Sequence, residues 1–220
     1  MFGLSAAKRA ARWAETDRFE GLHAARAMSF GAGCGQAEGI VAGTRIATAM
    51  GWRPVESLAP GDMVMTFDHG MRPVIRVERV ALWSGQGVCP RTLMPMAVPA
   101  GALGNNAPML LAPEQAVLVE SDLAEAVFGD PFALIPAAAL DGYRGIGRIT
   151  PHQTVEIVVV QFAEAEVVYA NGTGMIHCGS IRGGALENLV AEEAGYAALP
   201  MDMARAIVAA MIDEDRATLC

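Results

Sequence analysis

The chain has 220 residues, 53% hydrophobic and 18% charged, with 24 Gly and 12 Pro. That length is enough to bury a core, and so few charges exclude general disorder. A net charge of −8 excludes the basic surface that non-specific nucleic-acid binding or attachment to an anionic membrane requires.

Near the N-terminus, Lys8, Arg9 and Arg12 are followed by no apolar core or small-residue cleavage site, so no Sec signal is read. No stretch approaches the roughly 18–20 apolar residues of a membrane span. A cytoplasmic location is expected, with non-classical export left open. Cys34, Cys89, Cys178 and Cys220 are scattered without CxxC spacing and are expected to be free thiols in a reducing compartment.

Residues 1–28 are rich in Ala and Arg. Phe2, Leu4, Trp13, Phe19 and Leu22 are spaced for one or two helices, and Ser5 is a candidate cap. The glycine-rich run 29–36, which holds Cys34, is expected to be a flexible connector. Residues 44–48 then form a β-prone run, and Ala49-Met50-Gly51 turns it back. Residues 52–58 carry Pro54, which lacks an N–H and so belongs on a sheet edge. Ala59-Pro60-Gly61-Asp62 is a tight turn, because proline presets φ and glycine accepts φ > 0. Residues 63–67 follow as a strand, and Asp68-His69-Gly70 as a hairpin turn.

Residues 72–83 read as one strand block of period two, and 84–108 as irregular. Residues 109–119 are again apolar, 122–128 suit a short helix, and 132–140 return to an apolar run. Residues 155–162 are almost unbroken in apolar character and predict a central strand buried on both faces. Residues 167–172 are expected to be its hairpin partner. Residues 188–194 have helical propensity. Asp202 is a candidate cap for a last helix whose stripe of Ile207, Val208, Met211 and Ile212 docks on the domain while Arg205, Asp213 and Glu214 face water.

The run Gly43-Thr44, Ile46, Thr48, then Pro54-Val55-Glu56, Leu58, Gly61-Asp62, Val64 and Thr66 resembles the opening of a Hint domain, the self-processing fold of hedgehog C-terminal domains and inteins. It is most similar to the bacterial Hint proteins. Further likenesses lie at residues 96–104, at Pro113 with Val117-Leu118-Val119, at Ile135-Pro136-Ala137 with Leu140, and at residues 167–172. The resemblance covers about residues 37–175. It implies a mainly β, horseshoe-like Hint domain over 37–175, with an N-terminal helical segment and connector over 1–36. A C-terminal helical extension then occupies 176–220.

A Hint domain of this kind cleaves its own backbone. A first-residue Cys or Ser attacks the preceding carbonyl, a hydroxyl polarises the peptide, and a histidine protonates the leaving amide. The nucleophile position falls on Gly39, the hydroxyl position on Ala112 and the histidine position on Gln115. The resemblance therefore implies the fold with a degenerate site, retained as a structural or interaction module. The alternative is self-cleavage by an N-to-S acyl shift at a displaced nucleophile, Cys34. A third reading is an unrelated β protein with convergent turn chemistry.

His177-Cys178 resembles the closing His and Cys of inteins, but no Asn stands between them, so succinimide release is not expected and the pair is read as incidental. Asp68-His69 is better explained by its turn than by acid-base or metal chemistry. His152, after Pro151, is read as a loop residue and His23 as lying on the N-terminal helix. No histidine or cysteine pair has zinc spacing, and neither 101–104 nor 142–147 has the spacing of a phosphate loop. No cofactor or metal is expected. Any partner is expected to be a protein reached through the helical extensions.

Overall fold

The eight residues from Arg45 to Trp52 fold back on themselves because two polar groups fix the turn between them. Thr48 Oγ1 donates to the Gly51 carbonyl at 2.7 Å and accepts from the Met50 N–H at 3.1 Å. Strand β2 (Arg45–Thr48) thereby pairs with β3 (Gly51–Pro54). Among the described residues β3 has no second neighbour, which is where a proline-ended strand is tolerated. The strand expected to continue to residue 58 stops at Pro54 and tightens into a 3-10 turn, Val55–Ser57, that buries Val55.

The computed structural model describes residues 39–181 and 197–218. The helices expected over 1–28, the connector with Cys34, the helix over 188–194 and Cys220 lie outside the described residues. Within them the chain is mainly β, in two antiparallel sheets. The first has the order β11 (Gly147–Arg148), β7 (Met96–Val98), β8 (Met109–Leu111), β1 (Ile40–Val41), β12 (Val155–Gln161), β6 (Arg76–Trp83). The second has the order β10 (Phe132–Pro136), β9 (Ala116–Glu120), β14 (Gly174–Cys178), β13 (Glu166–Ala170), β2, β4 (Met63–Thr66), β5 (Gly70–Pro73), with β3 beside β2.

The main core lies between the sheets, drawing Ile40, Leu111 and Val158 from one and Ile46, Val117 and Ile176 from the other. Strand β12 is buried on both faces as expected. Val158 and Val160 point into this core, while Val155 and Ile157 enter a second apolar cluster with Val41, Leu82 and Ala112.

Three expectations need correction. Residues 72–83 are not one strand, because β5 ends at Pro73 in one sheet and β6 starts at Arg76 in the other. Between them Val74 donates to the Asp62 carbonyl and Ile75 to the Gln161 carbonyl, so one short link changes sheets. Residues 167–172 are not the hairpin partner of β12. The Asn171-Gly172 turn, with both residues at positive φ, commits β13 to β14 instead, as Asn-Gly turns favour. The irregular stretch 84–108 contains β7 and a 3-10 turn at Arg91–Leu93.

Helix α1 (Asp122–Phe128) falls on the expected residues and ends on Gly129 in the left-handed conformation, a common helix stop. Helix α2 (Met201–Thr218) buries Ala204, Ile207, Val208 and Met211 against the core. The apolar stripe is thus docked, and Arg205 and Asp213 face water; Glu214 is half-buried. Arg144 clamps the helix through a two-pronged bond to Asp215, at 2.6 and 2.5 Å. No helix among the described residues is long and apolar enough to cross a membrane.

Candidate functional site

Strand β1 starts one residue after Gly39, and its register decides what Gly39 faces. Ile40 pairs with Leu111 of β8, which sets Gly39 opposite Ala112 on the neighbouring antiparallel strand. The positions assigned to the nucleophile and to the hydroxyl are therefore brought together. Neither carries a reactive group. Gly39 sits at φ +144°, and a Cβ built there would lie 3.1 Å from Ile157 Cδ1. Ala112 is fully buried in the apolar cluster that Ile157 shares with Val41, Leu82 and Val155.

Gln115, at the histidine position, is 1% exposed. Its Nε2 donates to the Ala116 carbonyl at 3.0 Å and to the His177 carbonyl at 2.8 Å. Both amide hydrogens are thus committed to backbone oxygens. Its main chain is committed as well: the N–H donates to the Ala112 carbonyl and the carbonyl accepts from Ala137. Gln115 fastens the start of β9 to the end of β14, a structural task.

His177 lies on β14, which runs through residue 175 to Cys178. Its Nε2 is shielded from water, and burial lowers its pKa to about 4. It is therefore a neutral imidazole at neutral pH. Cys178 and Cys89 are buried and carry no disulfide. Burial also pushes the Cys89 thiol up, which keeps it from ionising.

Sequence reasoning missed one polar cluster. His69 Nδ1 is 2.9 Å from Glu166 Oε2, and Arg72 Nε is 3.5 Å from the other carboxylate oxygen, with the Glu166 side chain 3% exposed. His69 does lie in the expected turn, held by Thr66 Oγ1, but its ring contacts Glu166, distant in sequence. No local pattern announces such a pair. Among the described residues no group of three His, Cys, Asp or Glu side chains is placed to hold a metal ion.

The opening signature has a physical role throughout. Glu56 Oε2 accepts from the Gly43 N–H at 2.8 Å, and Asp62 Oδ2 accepts from Ala59 N–H and Arg53 Nη1. These carboxylates fix turns and touch no candidate reacting group.

Comparison with solved structures finds the bacterial intein-like domain from Clostridium thermocellum at 14% identity, with 65% of this chain and 99% of that one covered and a TM-score of 0.46. A variant of the MchDnaB-1 intein follows at 15% identity, with 64% and 98% covered and a TM-score of 0.40. The gp41-1 intein aligns at 10% identity, with 64% and 98% covered and a TM-score of 0.37. Comparison with curated proteins finds no match. The family model described as Hint domain matches residues 39–176, more than half of the chain. The chain belongs to the Hint domain family.

Proposed function

We propose that this Hint domain has lost self-cleavage by the family's usual chemistry and serves as a structural or interaction module. The observation that carries this reading is the placement of Gly39 opposite Ala112, beside Ile157. An acyl shift needs a thiol or hydroxyl next to the scissile carbonyl and a proton donor for the departing nitrogen. Here the first position has no side chain, the second is a methyl group in an apolar cluster, and the third is an amide that does not titrate. The apolar stripe of α2 is used within the domain, so a protein partner reached through this helix meets its polar outer face, with Arg205, Asp213 and Arg216.

Gly39→Cys tests the reading by returning the nucleophile alone. The variant is expected to give no thiol-dependent cleavage before residue 39, since neither the acid nor the hydroxyl accompanies it. It is also expected to lose about 1–2 kcal/mol of stability, because an L side chain at this φ is strained and crowds Ile157. Cleavage restored by this one change, read by mass, would mean that the rest of the machinery is intact and would refute the proposal.

A further inference from the structure

Where α2 packs against the 3-10 turn Ala137–Leu140, a polar cavity of about 310 Å³ opens, lined by neither Gly39 nor Gln115. Three elements bring arginines to its lining: Arg91 from the 3-10 turn before β7, Arg148 from β11 and Arg205 from α2. Among the described residues, Asp141 is the one carboxylate lining it. Three arginines against one carboxylate stand out in a chain of net charge −8.

The single carboxylate does not satisfy them. Asp141 Oδ2 lies 3.6 Å from Arg148 Nε and 3.9 Å from Arg91 Nη2, both beyond hydrogen-bond length. Arg148 Nε is shielded from water with no hydrogen-bond acceptor, although its Nη1 donates to the Arg91 carbonyl at 3.0 Å. That last bond fixes the Arg148 fork at the cavity wall. Arg205 makes no ion pair among the described residues. A buried donor without an acceptor is costly, and an oxyanion is the group that matches several guanidinium forks at once. The remaining wall is apolar, formed by Ala139, Val208 and Ile212 among others. Its volume is at the low end of small-molecule sites.

We infer that this cavity binds a small organic anion, holding one carboxylate or phosphate group between Arg91, Arg148 and Arg205 and a short apolar body against α2. The site depends on the seating of α2 on the domain and not on whether any self-cleavage survives.

Calorimetric titration of the full chain with butyl phosphate, hexanoate and inorganic phosphate tests this, with ionic strength held constant by sodium chloride. Saturable one-site binding of butyl phosphate or hexanoate is expected, tighter than inorganic phosphate, and the stronger of the two identifies the headgroup. Arg205→Gln and Arg91→Gln alter exposed side chains, so the fold is retained, and each should weaken binding at least about fivefold. Arg45→Gln, on an exposed strand position elsewhere, should leave it unchanged. Absence of saturable binding by both organic anions would overturn the inference, as would full affinity in the Arg91→Gln/Arg205→Gln double variant. Equal affinity for inorganic phosphate would overturn the organic ligand.

Discussion

Gln115→Ala is expected to lower the unfolding free energy by about 3 kcal/mol, a loss made of two carbonyls stripped of their donor at roughly 1–3 kcal/mol each. The Ala116 carbonyl loses its 3.0 Å bond from Gln115. The His177 carbonyl loses its bond from Gln115 at the point where β14 meets β9. The side chain removed is also among the largest fully buried ones, so a cavity adds to the cost. Gln115→His should recover only part of the loss, because a neutral imidazole offers one N–H where two are needed. Urea denaturation measures both variants. An unchanged midpoint in Gln115→Ala would show that this side chain does not hold the two strands, and a structural reason for glutamine here would disappear.

The second large effect is a loss of stability in mild acid. Burial holds His177 at about 4 in the folded chain against 6.5 for the ordinary group. Between those values the unfolded chain takes up a proton that the folded chain refuses, so stability falls as pH drops from 6.5 toward 4 and levels off below. The full shift corresponds to about 3 kcal/mol, of which about 2 kcal/mol is lost by pH 5. That window lies mostly above the range where carboxylates titrate, which separates the two causes. Urea midpoints at pH 7.5 and pH 5 should differ clearly in the natural sequence and much less in His177→Leu. The same drop in His177→Leu would assign the acid sensitivity to other groups.

How much was legible in the sequence follows from what each residue does. The opening signature was readable because its polar members satisfy local backbone groups. Thr48, Glu56, Asp62 and Thr66 each bind a turn within or beside their own hairpins, and turn chemistry leaves a pattern at fixed spacing. Helix α1 and the apolar stripe of α2 were readable for the same local reason. The jump from β5 to β6 was not, since Pro73 and Val74 continue a period-two pattern while the chain changes sheets. The pairing of β13 follows the Asn171-Gly172 turn, a stronger local signal than apolar likeness to β12.

The candidate site divides in the same way. That Gly39, Ala112 and Gln115 lack reactive groups was plain from their identities. Their surroundings were not, because the facing of Gly39 and Ala112 depends on the register of β1 with β8. The bond from Gln115 to the His177 carbonyl spans 62 residues. The Glu166–His69 pair spans 97 residues and the arginine-lined cavity joins three separate elements. Long-range polar contacts of this kind leave no periodic trace.

The intact mass of the freshly expressed chain, with and without dithiothreitol, tests the central claim most directly. A Hint fold with an inert processing site predicts one species at 23.1 kDa under both conditions. A thiol-dependent fragment beginning at Cys34 would contradict it and assign self-cleavage to a displaced nucleophile.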